Sequence, residues 1–349
     1  MEDYLNSLSQ VQRECVEYID GPSLVVAGAG SGKTRVLTYK IAYLLDVLGV
    51  EPNRILALTF TNKAAREMKE RIGKLVGDSE ARYLWMGTFH SICARILRKE
   101  AEHIGYTRDF SIYDTADSKS VVKQIVKELQ LEEKIYKSGN VLAKISAAKN
   151  GFMSPADYAS NTDCQQRDRM DRMYDMAEVY RRYEMRLHAA NAMDFDDLLL
   201  NTCRLMLNNK EAAAYYQDVF QYVLVDEYQD TNYVQYRLVR MLAMPQNHIC
   251  VVGDDAQSIY SFRGADIRNI LHFREGYQDA RLFKLERNYR STRNIVKAAN
   301  SLISHNQNQI PKDIYSEKED GDCLTLRSYP TDKAEADGIA ALVSEEHRL

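Results

Sequence analysis

Six short, largely apolar runs, at 23–27, 54–60, 84–88, 222–225, 248–252 and 281–285, constrain the fold of this chain more than any other feature. Each is flanked by turn residues, and runs of this length read as strands buried on both faces. Between several of them the period becomes helical: within 62–75, Ala65, Met68, Ile72 and Leu75 recur every three or four residues. Strand, helix, strand in succession implies an α/β fold, a parallel sheet with helices on both faces.

Residues 92–197 break that rhythm with charged amphipathic helices and almost no strand-like run, which predicts an all-helical insertion. There Met170, Met173, Tyr174, Ala177, Tyr180 and Leu187 predict one face of a single long helix. A methionine stripe at helical spacing reads as packing rather than as a soft ligand set. A polar connection at 306–313 precedes a strand-like run at 323–327 and a helix opening near Asp332. That helix runs on past Gly338 and meets no Gly or Pro stop at its end before Leu349, so the chain is expected to end inside a domain.

Length and composition, 349 residues with 45% hydrophobic and 28% charged, fit two or three soluble domains. The net charge of -4 means that any nucleic-acid contact must be local. Six cysteines, at 15, 93, 164, 203, 250 and 323, show neither metal spacing nor disulfide density, and no leader or membrane-length apolar run is visible. A reducing, cytoplasmic setting is expected, without a membrane.

After the first apolar run comes Ala27-Gly-Ala-Gly-Ser-Gly-Lys-Thr34, then a helical pattern over 35–45. A strand, a glycine-rich loop, Lys-Thr and a helix form the context in which this motif cradles phosphates. Gly28, Gly30 and Gly32 let backbone N–H groups turn inward, Lys33 neutralises β and γ phosphates, and Thr34 holds Mg²⁺. Ala27 stands where the strict motif has Gly. After the run 222–225, Asp226 suits a Mg²⁺ role and Glu227 a base acting on the attacking water, the alternative being an acidic helix cap. After the run 248–252, Gln257 can bond a γ-phosphate oxygen and the water, or be a plain loop amide. Tyr260, Phe262 and Arg263 suit stacking on bases and contact with phosphates, or form a minor core.

These elements, in this order, resemble the superfamily 1 DNA helicases of the UvrD/Rep/PcrA type. The motifs are Leu8-Ser-Gln-Val-Gln12-Arg-Glu, the phosphate loop, Leu58-Thr-Phe-Thr-Asn-Lys-Ala-Ala65, Gly87-Thr-Phe-His90, Asp226-Glu-Tyr-Gln-Asp230, Gly253-Asp-Asp-Ala-Gln257 and Leu285-Glu-Arg-Asn-Tyr-Arg-Ser-Thr292. The resemblance covers essentially the whole chain. It implies a RecA-like P-loop NTPase domain over 1–91 and 198–280, a helical subdomain over 92–197, and the start of a second RecA-like domain over 281–349.

By the same resemblance Gln12 reads the adenine edge, Tyr289 stacks on it, and Ala29, Ser31 and Arg35 join the nucleotide site. Arg290 serves as an arginine finger, while Phe60, Thr61, Asn62, Thr88, His90, Tyr260, Phe262 and Arg263 line a track for single-stranded DNA. Phe262 replaces the family's usual Trp. The implied activity is ATP-dependent, 3′ to 5′ movement on single-stranded DNA and at single/double-strand junctions, in repair or replication. Later family motifs fall beyond Leu349, so on these residues alone weak nucleotide binding, slow hydrolysis and no unwinding are expected. Rival readings are a nucleotide-switched binding module that does not unwind, the motor part of a helicase–nuclease, and a small-molecule kinase. The last leaves residues 59–65 and 260–263 without a role.

Overall fold

The computed structural model describes residues 3–346, the side chains of Asp3 and Arg263 excepted. All six apolar runs become strands: β1 Ser23–Ala27, β2 Ile55–Thr59, β3 Trp85–Thr88, β6 Tyr222–Val225, β7 Ile249–Gly253 and β8 Arg281–Leu285. They form one parallel sheet in the order β3-β2-β6-β7-β1-β8. Alternate residues of each inner strand enter opposite cores. Leu24, Val26, Leu56, Leu58, Val223, Val225 and Val251 face one side, and Val25, Ala27, Ile55, Ala57, Leu224 and Val252 the other. Burial on both faces is why these strands carry no polar alternation.

The helices form where the pattern places them. Lys33–Asp46 follows the glycine loop, and Asn62–Val76 starts on an N-cap in which Thr61 accepts from Ala64 N–H. A third core lies wholly within the inserted helices and includes Val122, Ile145, Tyr180 and Leu187. Ile92, Cys93, Ile96 and Leu97, on Phe89–Glu100, pack instead into a core of the large sheet. The insertion also contains a short parallel pair, β4 Ser111–Ile112 with β5 Ala192–Met193, which its helical reading did not anticipate.

Three other expectations are corrected. The methionine stripe is not one helix: Thr162–Met170 ends, Arg172 takes a φ of 58°, Met173 N–H bonds back to Asp168, and Met176–Ala189 begins. Met170 and Tyr174 are therefore exposed while Met173, Tyr180 and Leu187 are buried. Run 323–327 forms no strand, and Leu324 and Leu326 are exposed, since a lone extended segment has no neighbour for its backbone groups. Finally, β8, expected to open the second RecA-like domain, is hydrogen-bonded along its length to β1 as an edge of the first sheet. The helix expected near Asp332 forms over Asp332–Glu346.

Candidate nucleotide site and nucleic-acid face

In a parallel sheet, every strand delivers its following loop to the same edge, where ligands of such sheets bind. Here that edge gathers the loops after Ala27, Thr59, Thr88, Val225, Gly253 and Leu285, so motifs scattered over more than 250 residues meet.

The phosphate loop is held in shape before any phosphate arrives. Gly30 and Gly32 have φ of 72° and 90°, which side-chain-bearing residues rarely adopt. A Cβ on Gly30 would also lie 2.8 Å from Cβ of Arg290. Ser31 donates its hydroxyl to the Gly28 carbonyl at 2.7 Å. Gln12, buried, closes a capping box with Ser9 and donates Nε2 to the Ser31 carbonyl at 3.0 Å. It thus ties the first helix, Gln10–Glu17, to the loop.

Lys33 and Glu227 meet across the site at 2.9 Å, Nζ to Oε2. Glu227 sits at φ 49°, a left-handed conformation that costs a non-glycine residue about 1 kcal/mol or more. Strain of this kind is retained where the placement of a side chain matters. Asp226, at the end of β6, is buried, and burial with the neighbouring Glu227 charge pushes its carboxyl up to about 7. Burial and Glu227 likewise raise Asp230 to about 6.

Gln229 carried no assignment in the sequence, yet it joins two motifs. Its Nε2 donates to Glu227 at 3.0 Å and to Asp230 at 3.2 Å, and its Oε1 accepts from Asp254 N–H at 3.0 Å. Its position within Asp226-Glu-Tyr-Gln-Asp230 was the available signal. Gln257 is exposed and donates to Asp254 at 2.6 Å.

The segment after β8 folds over the phosphate loop. Asn288, also unassigned in the sequence, donates Nδ2 to the Ala29 carbonyl at 2.6 Å, and Tyr289 N–H donates to the Gly30 carbonyl at 2.9 Å. Arg290 is exposed beside Gly30. Gln12, Ser31, Arg287, Tyr289 and Tyr315 line a cleft of about 200 Å³. The Tyr289 ring there carries the Arg287 guanidinium 4.8 Å from its centroid. The Arg35 guanidinium donates to the Ser7 carbonyl and hydroxyl and lies 5.2 Å from the Tyr39 ring centroid.

On the other face of the same loops, Tyr260 and Phe262 are 40% and 76% exposed with ring centroids 6.0 Å apart, so they are not a minor core. Phe60 is half-buried against Phe89, and Thr61 and Thr88 cap the two helices that follow β2 and β3. Asn62 is exposed. His90 meets the edge of Phe195 at 5.8 Å, and burial lowers its pKa. The side chain of Arg263 lies outside the described residues.

Two family models match the chain end to end: the UvrD/REP helicase N-terminal domain over residues 8–278 and the UvrD-like helicase C-terminal domain over 283–348. The chain belongs to the UvrD/REP helicase family. It is similar to proteins named ATP-dependent DNA helicase PcrA, with 45% identity over 348 residues to that of Staphylococcus epidermidis and 46% over 349 residues to that of Staphylococcus aureus. Both matches take in 100% of this chain but 47% of the relative, so the chain spans about half the length of the curated relatives it matches. Among the described residues no helix is long and apolar enough to cross a membrane.

Proposed function

We propose that these residues form the ATP-binding motor part of a DNA helicase that moves along single-stranded DNA, 3′ to 5′, and separates strands at single/double-strand junctions. The observation that carries the reading is the two-sidedness of one loop. Leaving β7, it reaches Asp254 and Gln257 beside the catalytic acids, then within five residues the exposed rings of Tyr260 and Phe262.

In this reading Lys33 leaves Glu227 for the β and γ phosphates when ATP enters, which frees the Glu227 carboxylate to orient and deprotonate a water. Gln12 and Tyr289 hold the base in the cleft between them. Asp226 and Thr34 fit a divalent cation: the raised, buried Asp226 carboxyl gains a counter-charge, and no cluster of three His, Cys, Asp or Glu among the described residues would hold a metal alone. Bound Mg²⁺ supplies neutralisation of phosphate oxygens. Arg290 adds positive charge at the transferring phosphoryl group, and Gln257 swings from Asp254 to the γ phosphate. Bases stack on Tyr260 and Phe262, a contact that contributes roughly 1–3 kcal/mol per base and needs only a narrow basic track beside it. We place this work in DNA repair or replication, in the cytoplasm.

The test is the ATPase rate of the full-length protein containing these residues, with and without single-stranded DNA. Turnover should rise with DNA and fall about 10²–10⁴-fold in Glu227→Gln, the usual contribution of a positioned base. Turnover indifferent to DNA, as a small-molecule kinase would show, refutes the reading.

A further inference from the structure

Between the catalytic Glu227 and the helix Tyr233–Ala243, the chain runs through residues 228–232, which are gripped from two sides. From one side Asn269, buried, donates Nδ2 to the Thr231 carbonyl at 2.9 Å and its hydroxyl at 3.1 Å, and Asp266 N–H donates to the same carbonyl. These two residues follow the loop that carries Tyr260 and Phe262. From the other side comes the inserted helical layer. Asn150, last residue of the helix Ser138–Asn150, accepts at Oδ1 from Asn232 Nδ2 at 2.6 Å.

Asn150 is itself held from two directions, and a third segment passes close by. Its Nδ2 donates to Ser146 and, at 3.1 Å, to Asp196. A Cβ on Gly264, in the turn closing the aromatic loop, would lie 3.9 Å from Cβ of Asn150. The preceding residue, Lys149, is 0% exposed and forms ion pairs with Glu184, Asp194 and Asp197 at 2.7, 2.8 and 2.7 Å, hydrogen-bonding the two aspartates. The turn that carries Asp194, Asp196 and Asp197 also carries Phe195, the ring against His90. Three segments therefore meet at one side chain, the catalytic loop, the inserted layer and the His90 neighbourhood, and the turn closing the aromatic loop lies beside it.

A buried charge cluster is a costly way to join two helices, and its best-attested use is to fix register. We propose that Asn150, anchored by Lys149, is a positioning residue for hydrolysis: through Asn232 it sets the 227–232 segment according to whether a strand occupies the aromatic face. The inference rests on the reading of the chain as a DNA-stimulated ATPase. Strand binding at Tyr260 and Phe262 shifts the 264–269 turn against Asn150, and the Asn150–Asn232 bond passes that shift to Glu227. Coupling of this kind is a difference in affinity between two arrangements, and it disappears when the shared contact is removed.

The experiment is a double-mutant cycle in the full-length protein, with Asn150→Ala, Asn232→Asp and both together. Asn232→Asp keeps the helix-capping oxygen that Gln235 N–H uses but removes the donor to Asn150. The latch predicts that each single variant lowers the DNA-stimulated kcat about tenfold, a typical coupling, while the DNA-free rate stays within about twofold and the double variant falls no further than the singles. A merely structural role would lower both rates in proportion to the folded fraction, which thermal unfolding of the same samples measures. Proportional loss, additive loss or undiminished stimulation each overturns the latch. A wild-type protein that DNA does not stimulate overturns instead the reading on which the latch rests.

Discussion

At the scale of single residues, the candidate site joins a paired charge to a buried one. Lys33 is paired with Glu227, so neither charge stands alone in the cleft. Among the described residues Asp226 forms no ion pair, and its titration follows. Its carboxyl is raised from 3.8 to about 7 in the folded chain, so the folded state holds the proton more tightly than the unfolded state. The stability linked to that proton is fully present below pH 3.8 and is lost as pH rises through about 7. Asp226→Asn, a mimic of the protonated form, should therefore raise the nucleotide-free unfolding free energy at pH 8 by roughly 1–3 kcal/mol. Denaturant titrations at pH 8 and pH 4 check this; a gain that is equal at the two values would show that burial does not govern the site. Asn288 is the other residue whose removal isolates one job. Asn288→Ala takes the bond from the Ala29 carbonyl and the acceptor from the Arg290 and Ser291 N–H groups. We expect ATP affinity to drop about tenfold, near 1.4 kcal/mol, in a fluorescent-nucleotide titration.

At the scale of elements, the loop that leaves β7 carries both Gln257, bonded to Asp254, and the exposed rings of Tyr260 and Phe262. Phe262, 76% exposed, contributes little to the core. Phe262→Ala should weaken single-strand binding by about 1–3 kcal/mol in an anisotropy titration and leave nucleotide affinity within about twofold. Equal losses of the two affinities would mean that the ring supports the nucleotide loop. The inserted helices are pinned differently. Burial works against the charge on Lys149, but Asp197, Asp194 and Glu184 hold its pKa well above the ordinary lysine value. Lys149→Ala leaves those carboxylates facing one another and should cost about 3–5 kcal/mol at pH 7 in chemical denaturation. Lys149 lowers the pKa of Asp194 and Asp197, so without it the folded chain holds their protons more tightly and part of that loss should return on acidification toward pH 5.

At the scale of the whole molecule, six strands from across the chain deliver their loops to one edge, so the cleft at Tyr289, the glycine loop, the acids and the exposed rings are built as one unit. On the proposed reading, the chain's net charge of -4 confines the cationic contacts with DNA to a narrow track beside the stacking rings. Binding of single strands should accordingly weaken with salt along a slope set by the few phosphates that such a track neutralises. A plot of log K against log salt steeper than about -4, meaning about six neutralised phosphates at 0.7 each, would show instead that charge dominates.

Much of this molecule was legible in its residues alone. Local pattern determined the six strands, the glycine loop and the acid pair, because each rests on neighbours within a few positions: apolar runs, φ freedom, N-caps. Tertiary structure alone decided what depends on distant partners. It placed β8 beside β1, broke the stripe at Arg172 and left 323–327 without a strand partner. It also brought Gln229 to Asp254, Asn288 to Ala29 and Asn150 to Asn232. A buried amide earns its role from the groups that face it, and those are 25 to 259 positions away in these three pairs, a separation that periodicity and spacing do not encode.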